Sequence, residues 1–115
     1  MHELGVVFHV IDNIKEVAEE NKISHVESVT LELGAVSSVI PAYLQDCWKW
    51  AVNREELMKD CKLIIEPIQA ITHCEDCRQD YDTIKHGKIC PYCGSENTFL
   101  LQGDEFIIKE VQSQF

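Results

Sequence analysis

Basic residues are scarce in this sequence of 115 residues. Only 10 lysines and arginines stand against 20 aspartates and glutamates, which gives a formal net charge of −10. A protein that binds DNA or RNA normally carries a basic face that neutralises phosphates, so this balance argues against nucleic acid as the main partner. An acidic surface instead suits cations, or basic patches on another protein.

Long apolar runs are missing too. No stretch approaches the length of a membrane span, and the first residues lack the basic segment of a secretory signal. We therefore expect a cytoplasmic protein with no membrane association. In the reducing cytosol the 6 cysteines favour metal binding, and a secreted disulfide framework is the alternative.

Signatures of catalysis are also absent. The sequence contains no Gly-rich phosphate loop, no nucleophile elbow and no paired-carboxylate site. A redox-active C-x-x-C pair would need a helix N-terminus in a thioredoxin-like setting, and no such setting precedes the cysteine pairs. These absences favour a carrier over an enzyme.

The clearest motif is a set of four cysteines. It consists of two C-x-x-C pairs separated by 12 residues: Cys74 with Cys77, and Cys90 with Cys93. This is the spacing of a four-thiolate zinc site, in which each pair forms a tight turn, or knuckle. Pro91 should stiffen the second knuckle, and Gly94 can take a positive φ as the chain leaves it. A closed set of four thiolates leaves no open position, so the expected zinc is structural.

Apolar periodicity predicts two helices. Spacings of three and four residues indicate a first helix that starts almost at the first residue and ends near residues 21–22. Its predicted buried stripe is Leu4, Val7, Phe8, Ile11, Ile14, Val17 and Ala18. Pro41 is a good first residue for the second helix. The predicted inner face of that helix is Tyr43, Leu44, Cys47, Trp48, Ala51 and Val52.

Four segments are strand-like, and the shortest of them covers residues 99–102. Residues 26–33 alternate polar and apolar side chains, which predicts a strand with one buried face. Residues 62–71 are rich in isoleucine, and Pro67 indicates an edge position or a break into two strands. A final strand over residues 105–111 is too short to be stable alone, so it should return to the sheet of the first part.

These elements predict an α+β fold: a small mixed three-stranded sheet with two helices, plus an inserted four-cysteine zinc-ribbon module. The expected domains are residues 1–70 with 103–115, and a zinc-binding domain over residues 71–102. The first of these would carry the site at the N-terminus.

The chain opens Met1-His2-Glu3. The α-amine of Met1, the amide nitrogen and imidazole of His2, and the amide of Glu3 can surround one metal ion with nitrogens. Four nitrogens in a plane suit Ni(II) or Cu(II). The amine must be neutral to bind, so affinity should fall with pH. A histidine near an N-terminus is also commonly a solvated residue without function, and spacing alone leaves both interpretations open.

Taken together, these features resemble the HypA/HybF family of nickel metallochaperones for [NiFe] hydrogenase maturation. The resemblance covers essentially the whole chain. The residues that carry it are Met1-His2-Glu3-Leu4, the two cysteine pairs, Gly34-Ala35-Val36-Ser37 and the turn at Gly103. The sequence departs from the common pattern at Gly5, where the family has a serine. It also lacks the long insertion that some archaeal members carry between the cysteine pairs.

The resemblance implies transient Ni(II) binding by His2, with help from the main chain of Met1 to Glu3, and structural Zn(II) at the four cysteines. It implies a HypB-type maturation GTPase and the hydrogenase large-subunit precursor as partners, with a possible homodimer. Some members also serve urease. The alternative is a generic zinc-ribbon interaction module without a nickel role.

A few other residues are candidates for metal binding or partner contacts. His73 abuts Cys74 and His86 lies between the cysteine pairs, so either could replace a thiolate, although His86 is better explained as a solvated loop residue. Cys47 and Cys61 are expected to be structural. Trp48 and Trp50 cannot both face the core, so one of them should be exposed.

Overall fold

Helix α1 runs from Glu3 to Glu20 in the computed structural model, which describes residues 3–113 of the chain. Its buried side chains are Val7, Val10, Ile11, Ile14 and Ala18. Three residues of the predicted stripe are substantially exposed instead: Leu4, Phe8 and Val17. At 100° per residue, the buried stripe is centred between Val7 and Ile14, which places those three residues at its margins.

The remaining elements follow in chain order. They are β1 (Val26–Gly34), α2 (Pro41–Val52), a 3₁₀ turn (Glu56–Met58), β2 (Lys62–Ile68), β3 (Ile71–Cys74), β4 (Asp80–Asp82), α3 (Thr83–His86), β5 (Thr98–Gln102) and β6 (Phe106–Ser113). Pro41 opens α2, as predicted. Pro67 lies within β2, which is an edge strand, and the chain leaves β2 after Ile68 and enters β3 at Ile71, so both the edge position and the break into two strands are found. The α+β fold class is confirmed, with the cysteines gathered in a separate module.

Strand β1 is the central strand of a three-stranded sheet with the order β2-β1-β6. Its apolar residues are buried, but so are Ser28 and Thr30, at 6% and 7% exposure. The prediction of one buried face is therefore wrong. A central strand has neighbours on both edges, and here both of its faces are covered as well, so polar residues between the apolar ones are also removed from solvent.

The chain divides into two compact units. The helical unit contains the chain up to Leu31, Val39–Glu66 and the chain from Ile107 onward. The cysteine unit contains Glu32–Ser38 and Pro67–Phe106. The assignment of nickel to one part of the chain and zinc to the other stays a prediction.

The core of the helical unit forms where α1 packs against α2. Trp48 is its largest fully buried side chain, and the indole nitrogen of Trp48 donates a hydrogen bond of 2.9 Å to the carbonyl of Cys61. Trp50, two positions along α2, is 51% exposed, as expected for a helix in which such residues point about 200° apart.

A second sheet, not predicted from the sequence, supports the cysteines. Its order is β4-β3-β5, and β3 pairs antiparallel with both neighbours. His73 of β3 lies opposite Asp80 on one side and Phe99 on the other. Strand β3 ends at Cys74, so the sheet leads directly into the first knuckle.

Gly34 lies where no side chain fits. An added Cβ would fall on the carbonyl group of Gly103, and that carbonyl accepts a hydrogen bond of 2.8 Å from the amide of Val36. We expect Gly34→Ala to destabilise the cysteine unit by about 3 kcal/mol, measured by urea unfolding.

Gly87→Ala is the matched control for this change. Gly87 has a φ of +67° and a ψ of −139° but open space around its Cβ position, so only backbone strain applies. An L residue in such a sparsely populated region costs about 1–3 kcal/mol. A Gly34→Ala variant as stable as the wild type would contradict the steric explanation.

Among residues 3–113, no helix is long and apolar enough to cross a membrane.

Candidate metal centre

The four cysteine sulfurs converge on one point. All four lie within 4.8 Å of one another, and the Cys74–Cys93 and Cys77–Cys90 sulfur pairs are 3.6 and 3.5 Å apart. A tetrahedron with metal–sulfur bonds of about 2.3 Å has sulfur–sulfur edges of about 3.8 Å. A disulfide bond would need about 2.05 Å. The spacing therefore fits four thiolates around one zinc-sized ion, and the cysteines are not paired as disulfides.

Local backbone hydrogen bonds shape each knuckle. In the first, the amide of Cys74 donates to the carbonyl of Gln79 at 2.9 Å, and Arg78 takes a φ of +60°. In the second, the amide of Gly94 donates to the carbonyl of Cys90 at 2.8 Å, and Gly94 has a φ of +75°. The positive φ predicted at Gly94 is confirmed. The positive φ of Arg78 could not be predicted from the sequence, because the residue there is not a glycine.

The hydrophobic core around these knuckles is very small. Its buried members are Cys74, Tyr81 and Cys90, with Cys77 packed against them. The hydroxyl of Tyr81 donates a hydrogen bond of 2.8 Å to the carbonyl of Gly87. Because the cysteines themselves make up most of this core, a metal ion bound to them would supply much of the stability that larger domains obtain from apolar burial.

Backbone amides favour the thiolate forms of Cys77, Cys90 and Cys93, but of these three only Cys90 has a lowered pKa. Burial raises the pKa of Cys90, but hydrogen bonds from the amides of Cys93 and Tyr92 outweigh it and lower the pKa from 9.0 to about 7. At Cys77 the amide of Gln79 lowers the pKa, yet burial and the neighbouring thiols raise it to about 12. A metal ion that binds all four sulfurs must therefore displace protons.

Neither candidate histidine joins the sulfurs. The Nδ1 atom of His73 lies 2.6 Å from a carboxylate oxygen of Asp80, and its ring centroid lies 5.3 Å from that of Phe99. His86 is exposed, with its ring edge-to-face against Tyr81 at 5.9 Å. Within the described residues, the metal-ligand cluster contains the four cysteines alone.

The predicted nickel ligands fall largely beyond the described residues. Met1 and His2 lie outside them, whereas Glu3 is the first residue of α1. The Oε2 atom of Glu3 accepts a hydrogen bond of 3.2 Å from the amide of Ile40, the residue that precedes α2. The Glu3 side chain thus contacts the start of the second helix.

The other two cysteines have different surroundings. Cys61 is buried, and burial raises its pKa from 9.0 to about 11, which keeps it a neutral thiol. Cys47, predicted in the core, is only half-buried and lines an apolar surface cavity of about 280 Å³ with Leu4, Asp46 and Trp50. It lies at the margin of the inner face of α2, so the adjacent helix covers it incompletely.

The exposed aromatic is part of a larger surface than the sequence indicates. Trp50 has its ring 6.3 Å from that of Phe8, and the guanidinium of Arg54 lies 4.6 Å from the Trp50 ring centroid. Phe8 is 42% exposed. In the sequence, Phe8 has the same spacing of three and four residues from its apolar neighbours as the core residues of α1, so its exposure could not be predicted from that spacing.

The α+β fold and the four-cysteine cluster place this chain in the class of small metal-binding proteins. Residues 1–113 match the family model described as "Hydrogenase/urease nickel incorporation, metallochaperone, hypA". The chain therefore belongs to the HypA family of nickel metallochaperones.

Individual relatives agree with this membership. The chain is 34% identical to the hydrogenase maturation factor HybF of Klebsiella pneumoniae, covering 99% of this chain and 100% of that protein. It is 29% identical to the hydrogenase maturation factor HypA of Actinobacillus succinogenes, over 96% and 97% of the two chains.

A solved structure supports the fold. The solution structure of the Ni metallochaperone HypA from Helicobacter pylori superposes with a TM-score of 0.71 at 23% identity, over 98% of this chain and 97% of that one.

Proposed function

We propose that this chain binds one Ni(II) ion reversibly through its first three residues and hands it on for [NiFe] hydrogenase maturation. The observation that carries the proposal is the match to a nickel-incorporation family over residues 1–113, a range that includes Met1-His2-Glu3. Nickel is the cargo, and zinc is the resident metal.

The ligand set follows from the chemistry of these residues. The α-amine of Met1, the amide nitrogen and imidazole of His2, and the amide nitrogen of Glu3 supply four nitrogens, which suit square-planar Ni(II). Glu3 is the first residue of α1.

The Glu3 carboxylate has a different role in this proposal. It accepts a hydrogen bond from the amide of Ile40 at 3.2 Å. This contact joins the first turn of α1 to the residue that precedes α2. Glu3 therefore contributes its backbone to the metal and its side chain to anchoring.

Nickel affinity should fall as pH decreases. The amine has a reference pKa of about 7.7–8.0 and the imidazole about 6.5, and both must be neutral to bind. The amide nitrogens of His2 and Glu3 must each release a proton as well, which makes the dependence on pH steeper. We expect the association constant to fall at least about tenfold per pH unit below about pH 7.7. Nickel titrations of the wild type at several pH values between 6 and 8.5 measure this slope. An affinity that does not change over this range would contradict amine and imidazole ligation.

For the four cysteines we propose a structural zinc ion. The tetrahedral sulfur spacing supports it, as does the preference of zinc for thiolates in closed four-coordinate sites. Bound there, zinc would supply charge that stabilises four thiolates and cross-links the two knuckles. The nitrogen set at the N-terminus and the sulfur set at the knuckles thus suit different metals.

We propose that partner proteins dock on the surface formed by Phe8, Trp50 and Arg54. Exposed tryptophan and arginine are frequent anchors of protein interfaces. The expected partners are a HypB-type maturation GTPase and the hydrogenase large-subunit precursor, in the cytoplasm. A generic zinc-ribbon interaction module would account for the cysteines, but it leaves unexplained the family match over the first 70 residues.

A further inference from the structure

A hydrogen-bonded network outside the four sulfurs joins the first knuckle to the chain after the second. Asp76 lies within the first knuckle. One of its carboxylate oxygens accepts from the hydroxyl of Ser95, and the other accepts from the side-chain amide of Asn97 at 3.3 Å. A backbone hydrogen bond joins the same two segments: the amide of Glu75 donates to the carbonyl of Asn97 at 3.0 Å.

Ser95 connects this network to the second knuckle. Its carbonyl accepts from the amide of Cys90 at 2.9 Å. Its hydroxyl oxygen accepts from the amide of Asn97 at 2.9 Å, so the hydroxyl hydrogen is left to point at Asp76. A continuous path of hydrogen bonds therefore runs from Asp76 in one cysteine pair to Cys90 in the other.

We propose that Asp76 is a positioning residue for the metal centre. Through Ser95 and Asn97 it holds the two cysteine pairs at the separation that a tetrahedral ion requires, and it slows the release of that ion. The proposal rests on the assignment of zinc to the four cysteines. It also assigns a role to an acidic residue that the sequence presents only as part of an acidic surface.

Electrostatics makes the opposite prediction, which allows a sharp test. Zn(II) with four thiolates carries a net charge of −2, so another carboxylate nearby repels the centre. If Asp76 were merely a solvated acid, neutralising it would relieve this repulsion and slow zinc release. If it positions the knuckles, neutralising it should accelerate release despite the more favourable charge.

The test compares zinc release from the full-length wild type, Asp76→Asn and Ser95→Ala. In Asp76→Asn one of the two carboxylate acceptors becomes an amide donor, so the substituted side chain cannot accept from both the Ser95 hydroxyl and the Asn97 side-chain amide. We expect zinc transfer to an excess of a chromophoric chelator to become about tenfold faster in both variants, the lower end of effects seen when outer partners of metal ligands are lost. The double variant should be no faster than the faster single variant, because both changes break one path.

Two controls separate position from charge and from general damage. Glu75→Gln removes the same charge one residue earlier, at an exposed side chain, and should leave the rate within about twofold of wild type or slower. Ser95→Thr keeps the hydroxyl and should retain slow release, which a loss of packing alone would not explain.

Several outcomes would overturn the proposal. They are an Asp76→Asn rate equal to or below that of wild type, equal acceleration by Glu75→Gln, or equal acceleration by Ser95→Thr and Ser95→Ala. If Asp76→Asn fails to fold, Ser95→Ala against Ser95→Thr decides alone. Zinc content before the chelator is added tests the metal assignment itself: a wild type without one zinc per chain would overturn that assignment, whereas normal zinc with unaltered release would overturn only the role of Asp76.

Discussion

Cys74→Ser should abolish stoichiometric zinc binding and unfold the residues around the metal centre. Cys74 is fully buried and is one of only three buried residues in the hydrophobic core of that region, together with Tyr81 and Cys90. Structural zinc contributes about 10–16 kcal/mol to folding in small metal-dependent modules. Three remaining thiolates cannot close the tetrahedron, and the core that is left is too small to hold the knuckles without the ion.

Helices α1 and α2 should survive this substitution. Their core is made by Trp48, Leu44 and Ile14, all at 1% exposure and all within the helical unit. Zinc content by atomic absorption and amide hydrogen exchange along the chain would measure both effects. Exchange should become fast over residues 71–102 and stay slow in the two helices.

Cys47→Ser is the matched control for this result. Cys47 is a half-buried cysteine of α2 and is outside the sulfur cluster. It should retain one zinc per chain and a wild-type exchange pattern. Retention of stoichiometric zinc by Cys74→Ser would contradict the four-thiolate site.

The parts of this structure that the sequence predicts are those encoded by local spacing. The two cysteine pairs lie close in the chain, and each knuckle closes through bonds between near neighbours such as Cys90 and Gly94. Pro41 marks the start of α2, and strong periodicity marks α1. Local stereochemistry determines these features, so no knowledge of the fold is needed to see them.

The features that were missed depend on distant residues. Ser28 and Thr30 are buried because both faces of β1 are covered, which alternation alone does not reveal. The exposure of Phe8 depends on where α2 packs, not on the spacing within α1. The contact of Asp76 with Ser95 joins residues 19 positions apart, and its carboxylate looks like any solvated acid in the sequence.

His2→Ala should nearly eliminate nickel binding. The imidazole is one of four proposed nitrogens, and its loss also opens the chelate ring that it shares with the amide of His2. Since loss of outer partners alone weakens metal sites about 10- to 100-fold, loss of a direct ligand should cost at least about 100-fold in affinity. Zinc content and the free energy of unfolding should not change, because the substitution leaves the four cysteines in place.

Two control proteins test whether the effect is specific to His2 and to the α-amine of Met1. His9→Ala removes an exposed histidine of α1 whose Nε2 atom lies 3.4 Å from the side-chain amide of Asn13, and it should bind nickel as the wild type does. An N-terminal extension of a few glycines keeps His2 but converts the α-amine of Met1 into an amide. It should weaken nickel binding, because one of the four nitrogens is lost.

The most direct measurement is an equilibrium nickel titration of the wild type and His2→Ala, each first loaded with one zinc ion. Zinc loading occupies the four cysteines, so a competing sulfur site cannot take up the nickel. The proposed site predicts one nickel ion per wild-type chain and binding at least about 100-fold weaker in His2→Ala. Equal affinity and equal stoichiometry in the two proteins would contradict the N-terminal nickel site.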